Sequence, residues 1–330
     1  MSQTKNHSTV ACDPRENLRT WLFGLGILLG LQLLFAAVLQ FQSSAPGNLS
    51  SQGPLLAFSP QAVRRLTIAS PTREVVLERR DDHWQLPAVN GFPAADEKVT
   101  ALLEKLARIQ RRIPVATSEA AQTRFRVAED RFERRLVLED GKQVLGTLYL
   151  GDSPGFRRLF VRVSGDSAIY EAALNLFDAG DQWEDWTKKT VLAVPEDQLQ
   201  GIDGKAFSLR REKDHWTLAD LQPGENLDPA AVQKLALGIA NLRFQKLLTA
   251  KPESLGDQPA QRLQVRFDGK VREYRFFPQG EDFVLKVSDR PEYFQIASYQ
   301  LEGWFPPKRE ALLKPEEGEA QTAPPQKEGS

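Results

Sequence analysis

The chain has 330 residues, with 43 basic side chains against 44 acidic ones, three histidines and one cysteine. That length accommodates two modest domains with a core in each. A net charge of −1 without a dense Lys/Arg cluster argues against nucleic acid as a partner, and the single Cys12 excludes an intrachain disulfide or a cysteine-rich metal site.

Residues 1–20 carry Lys5, Arg15 and Arg19 and read as a cytoplasmic tail. Trp21 to Phe41, WLFGLGILLGLQLLFAAVLQF, then runs 21 residues without a charge. A helix of that length crosses roughly 30 Å of hydrocarbon. No charge follows until Arg64, so the positive-inside rule places the N-terminus in the cytoplasm and the rest of the chain outside. A cleaved signal peptide is the competing reading. Its apolar core is normally shorter and ends in a small-x-small site, whereas SSAP here would put proline just after the cut. An uncleaved single-pass anchor in a bacterial inner membrane, with periplasmic C-terminal domains, fits better. Gly26 and Gly30 form a GxxxG, with Ala37 near the same stripe. Such a face lets a second helix approach closely, although glycine is common in membrane helices for other reasons. Residues 42–58, rich in Ser, Gly, Pro and Gln, read as a linker.

Beyond the linker, two stretches echo each other. DDHW at 81–84 returns as KDHW at 213–216, and the apolar helical pattern from Val99 returns from Val232. Trp84 and Trp216 are 132 positions apart, Val99 and Val232 133, Asp140 and Asp268 128, and Phe160 and Phe283 123. The kept order and small drift predict a duplicated module with loop deletions. Each module is expected to open with a hairpin turning at Asp81-Asp82 or Lys213-Asp214. Alternation then puts Trp84 and Trp216 in the core as anchors and His83 and His215 outside.

An amphipathic helix follows in each. The first uses Val99, Leu102, Leu103, Leu106, Ile109 and Ile113 and stops at Pro114. In the second, Asp228 caps, Pro229 starts the helix, and Val232, Leu235, Ile239 and Leu242 form the stripe. A strand meander with turns at Asp140-Gly141 and Asp268-Gly269 completes each module, with a further pair of strands near 158–163 and 168–172 in the first. The expected fold is α+β: a single N-terminal transmembrane helix, then repeats at 59–190 and 191–305. Each repeat is an antiparallel sheet with one packed helix. The segment QWEDWTKKTVL is a connector pinned by Trp183 and Trp186. Residues 306–330, rich in Pro, Glu, Gln and Lys, read as a disordered tail.

Catalytic signals are weak. GDSPG at 151–155 matches G-x-S-x-G, but a nucleophile elbow leads into a helix, whereas Ser153 precedes Pro154 and the strand-like FRRLFVRV. The chain has no phosphate-binding G-x-x-x-x-G-K-[ST] and no G-x-G-x-x-G. No enzymatic activity and no catalytic, cofactor or metal site is expected. The basic strands FRRLFVRV and RFERRLVLE read as half-buried strands with arginine on the wet side.

The stretch RFRVAEDRFERRLVLEDGKQVLGTLYLGDSPGFRRLFVRVSGDSAIYEAALNLFDAGDQWEDW resembles an uncharacterised domain-of-unknown-function family associated with gliding-motility-type (Gld-like) ABC transporters. The likeness covers about 60–190 well. The second stretch is a looser match and lacks SPGFR. The resemblance implies a membrane-anchored accessory protein beside an ATPase, a permease and a partner extracytoplasmic subunit, with no catalytic residues to carry over. Two functions follow as expectations: a non-catalytic accessory subunit of such a transporter, or an envelope scaffold independent of one.

Overall fold

A computed structural model describes residues 53–213 and 215–315. The stretch 21–41 expected to be a membrane anchor, with Gly26, Gly30 and Ala37, lies outside the described residues. No helix among the described residues is long and apolar enough to cross a membrane. The chain divides into two compact units, one of residues 1–53 with 111–113 and one of 54–110 with 114–330. In the first, Arg111 N–H donates to the Gly53 carbonyl at 2.8 Å.

The second unit holds two eight-stranded antiparallel sheets and few helices. The first sheet contains β1 (Arg65–Ala69), β2 (Glu74–Arg80), β3 (His83–Leu86), β4 (Phe92–Pro93), β5 (Arg134–Glu139), β6 (Val144–Leu150), β7 (Leu159–Val163) and β8 (Ile169–Ala172), in the order β4-β3-β2-β1-β5-β6-β7-β8. The second contains β9 (Leu199–Asp203), β10 (Ser208–Glu212), β11 (His215–Leu218), β12 (Lys246–Leu248), β13 (Gln261–Phe267), β14 (Lys270–Gln279), β15 (Asp282–Val287) and β16 (Tyr293–Ile296), in the order β11-β10-β9-β13-β14-β15-β16-β12. Seven strands therefore take the same path in each sheet. Period-two alternation drives them: in β5, Leu136 and Leu138 face the core while Arg135 and Val137 do not.

Helices α1 (Asp96–Ala107), α2 (Glu119–Arg124) and α3 (Pro229–Ala240) complete the elements. α1 buries Val99, Leu102, Leu103 and Leu106; α3 buries Val232, Leu235, Ala236 and Ile239, the same four positions 133 residues on. Asp228 caps α3 by accepting from the Ala230 N–H at 2.9 Å. Ile113 does not belong to the α1 stripe. The helix ends at Ala107 because the next residues pair with an earlier strand-like segment, the Leu55 N–H donating to the Ile109 carbonyl at 2.6 Å. Ile109 stays buried, and Ile113 is 89 % exposed.

One continuous core runs through both sheets. Its seam is the segment 186–189. On one flank, the Ala95 N–H donates to the Trp186 carbonyl (2.8 Å) and the Lys188 N–H to the Pro93 carbonyl (3.0 Å). On the other, the Phe244 N–H donates to the Lys189 carbonyl (3.4 Å) and Lys189 Nζ to the Gln245 carbonyl (3.0 Å). Phe92 from the first sheet stands edge-on to Phe244, with ring centroids 5.9 Å apart, and lies 6.3 Å from Phe294 of the second. Burial at this seam lowers the Lys189 ammonium below its ordinary range, a shift that Glu184 and Asp185 partly oppose.

The folded chain continues past the expected boundary at 305. Leu312 is buried, the Asp228 N–H donates to the Leu312 carbonyl (2.8 Å), and Arg309 holds Glu225 with two bonds of 2.7 and 2.5 Å. The polar composition of this stretch conceals its few anchoring residues, Arg309 and Leu312.

Two outcomes follow. Phe92→Ala should cost about 3–5 kcal/mol in equilibrium urea unfolding; a loss below about 1 kcal/mol would mean the ring carries little of the seam. The Arg309 guanidinium lowers the Glu225 carboxyl to about 2 from 4.5. A depressed carboxyl stabilises the fold above its unfolded value and loses that contribution as pH falls through its folded one. The stability difference between wild type and Glu225→Gln should therefore be full above about pH 4.5 and gone near pH 2. A pH-independent difference in the denaturation midpoints would contradict the ion pair.

Candidate interaction surface

Trp84 is buried at β3. Its N–H donates to Asp96 Oδ1 (2.7 Å), and its carbonyl accepts from the Ala94 N–H (2.8 Å). Trp216 packs against the same core but is only half-buried, because β11 ends its sheet with no strand equivalent to β4 beside it. Both histidines are exposed. His83 Nδ1 lies 3.0 Å from Asp96 Oδ2, at the start of α1. Both tryptophans are therefore packing residues, and the structure does not bring His83 and His215 together with Ser153.

GDSPG forms the loop between β6 and β7. Gly151 is required there for a packing reason: a Cβ would fall 2.0 Å from the Phe125 carbonyl oxygen. The Asp152 N–H donates to that same carbonyl at 3.0 Å. Ser153 Oγ donates to the Gly155 carbonyl at 2.7 Å, an ordinary turn bond.

The outer face of the first sheet is covered. Residues 115–133 lay Phe125, Val127 and Phe132 over Tyr149, Phe160 and Ile169 as a second small core. Arg162 is consequently 3 % exposed instead of standing in water, as its alternation within FRRLFVRV suggested. Its Nε donates to the Val127 carbonyl (2.7 Å) and its Nη1 to the Asp166 carbonyl (3.0 Å), with the guanidinium 4.8 Å from the Tyr149 ring centroid. The aromatic residues of RFRVAEDRF carried that signal.

Two large aromatic side chains leave this body at one end of the sheet. Phe156 is 87 % exposed on a turn closed by the Arg158 N–H donating to the Gly155 carbonyl (3.2 Å). Arg157 stacks on its ring at 5.0 Å, and Arg158 pairs with Glu171 at 2.8 Å. Phe177 is 90 % exposed on the 3-10 turn Leu176–Ala179, which follows β8. β8 ends at Ala172, directly opposite Leu159 at the start of β7, so both rings project from the same end. The second turn is firmly held. Asn175 and Asp178 form a reciprocal capping box, Lys105 bonds Asp178 at 2.6 Å, and Arg134 bonds Asp181 at 3.2 Å and the Ala179 carbonyl at 3.1 Å. Scattered apolar side chains on a surface are ordinary, but two aromatics on rigid turns beside arginines have the composition of an interface centre. The corresponding junction of the second sheet, between β14 and β15, is only Gly280-Glu281 and presents no aromatic. SPGFR and LNLFDAG held the clue, but neither shows exposure in sequence.

The described residues contain no group of three or more His, Cys, Asp or Glu placed to hold a metal ion. Replacing both rings, Phe156→Asp with Phe177→Asp, should change unfolding free energy by no more than about 0.5 kcal/mol, as expected of surface positions. A loss of several kcal/mol in chemical denaturation would show the rings to be packed.

The chain belongs to the family described as a domain of unknown function (DUF4340), whose model matches residues 84–261, more than half of its length. The match begins in β3 and ends at Gln261, the first residue of β13. No curated protein and no solved structure matches the chain.

Proposed function

We propose that this protein is a membrane-anchored, extracytoplasmic accessory subunit of a Gld-like ABC-type transport system, acting by protein contacts and not by catalysis. The reading rests chiefly on the exposed rings of Phe156 and Phe177, held out on hydrogen-bonded turns at one end of the first sheet. Ordering such side chains in advance lowers the entropic cost of association. The uncharged stretch 21–41 would tether the body to the membrane and dock on a permease through Gly26, Gly30 and Ala37. The rings would meet the partner extracytoplasmic subunit. We further propose that the two sheets arose by duplication. On this view the first kept a contact loop that the second reduced to a tight turn.

The test is affinity capture of the tagged full-length chain from native membranes in detergent. A permease and an ATPase should accompany the wild type. The Phe156→Asp, Phe177→Asp variant should recover at least about tenfold less of the extracytoplasmic partner, as for loss of central aromatic anchors. Gly26→Leu with Gly30→Leu should release the permease. Recovery of envelope proteins without any transporter component would overturn this reading in favour of an independent scaffold.

A further inference from the structure

The two halves of the second unit close in the same way. In the first, the Ala95 N–H donates to the Trp186 carbonyl and the Lys188 N–H to the Pro93 carbonyl. In the second, the Asp228 N–H donates to the Leu312 carbonyl and the Lys314 N–H to the Asn226 carbonyl. Bridges Ala94–Thr187 and Leu227–Leu313 sit between these bonds. A third pairing keeps the same spacing. Lys105 bonds Asp178 in one half; in the other, Gly238 lies against Trp304, where a Cβ would come within 2.5 Å of the indole. Residues of α1 therefore correspond to residues of α3, and 178–188 to 304–314, position for position.

This correspondence identifies what fills one half and is missing from the other. In the first half Trp186 is wholly buried. Its indole N–H donates to the Gly180 carbonyl (2.9 Å), and Lys98 Nζ lies 4.8 Å from its ring centroid. The corresponding positions are Leu312 for Trp186, Pro306 for Gly180 and Ala231 for Lys98: a smaller apolar side chain replaces the indole, a methyl group replaces the ammonium, and the backbone carbonyl is kept. All three line an open cleft of about 500 Å³ beside α3. Lys234 and Lys308 stand on its walls, and neither has a carboxylate partner among the described residues. The Pro306 carbonyl corresponds to the one that accepts the indole N–H in the first half.

We propose that this cleft receives an aromatic side chain, tryptophan above all, from a partner polypeptide in which carboxylates flank the ring. The ring takes the place that Trp186 fills internally, and the carboxylates face Lys234 and Lys308. The first half supplies the template, since Glu184 and Asp185 directly precede Trp186. Residues 316–330 contain no aromatic side chain, so that segment does not supply the plug. The inference rests on the reading that the protein works through contacts, and it does not depend on a transporter. Loss of the transporter from affinity capture would leave this binding intact.

The experiment is fluorescence anisotropy of a labelled peptide with the sequence of residues 181–188, DQWEDWTK, titrated with the full-length protein in detergent. Binding should weaken at least about tenfold when the peptide carries Trp186→Ala. It should weaken as much on Leu312→Trp protein, whose own indole fills the cleft and whose thermal midpoint should not fall. Lys234→Glu with Lys308→Glu should also weaken it, and this surface variant carries the test if Leu312→Trp melts without cooperativity. No binding, equal binding of the two peptides, or undiminished binding to these protein variants would overturn the proposal.

Discussion

Each backbone N–H and C=O taken from water needs a partner, and in the second unit the segment 186–189 meets that demand for two sheets at once. One flank serves Pro93 and Ala95 beside β4; the other serves Phe244 and Gln245 at the start of β12. Two sheet edges that would otherwise stand open are thereby joined through one short connector. The aromatic cluster of Phe92, Phe244 and Phe294 fills the space beneath it, and the two apolar cores become one. A connector with a different backbone path would leave both edges unpaired and the rings exposed.

Edges elsewhere follow the same logic, since an open strand invites association. The outer side of β8 is covered by residues 115–116, the Val115 N–H donating to the Ile169 carbonyl (2.7 Å) and the Ile169 N–H to the Ala116 carbonyl (2.9 Å). Beside β16, β12 occupies the corresponding place. β11 keeps an outer edge with no neighbouring strand; the faces proposed for partners are side-chain surfaces, the turns presenting phenylalanine at one end of the first sheet and a cleft beside α3. Both arise where the halves differ, one through a longer loop and the other through a smaller side chain.

Much of the architecture was legible in sequence because it depends on local periodicity. The hairpin turn at Asp81-Asp82, where both residues take positive φ, the cap at Asp228 and the turns at Asp140-Gly141 and Asp268-Gly269 stand where their residue types place them. What the sequence concealed depends on non-local pairing. Ile113 has the right spacing for the α1 stripe, but the chain leaves the helix early to pair with another segment. Arg162 alternates as a solvent-facing residue and is buried because a distant loop covers it. Leu312 lies in a stretch of polar composition yet completes a hydrogen-bonded edge. Trp84 is buried and Trp216 half-buried on strands that alternate as their sequences suggest, whereas the exposure of Phe156 and Phe177 depends on how the ends of β7 and β8 meet.

The connector's role can be tested directly by native-state hydrogen exchange at the Lys188 and Phe244 amides, each of which donates across the seam. If both sheets unfold together, these amides should exchange only through global opening, as slowly as those in the central β5–β6 ladder. Exchange at the rate of an exposed loop, with β5–β6 still protected, would show the sheets to be independently opening bodies and would contradict the shared core.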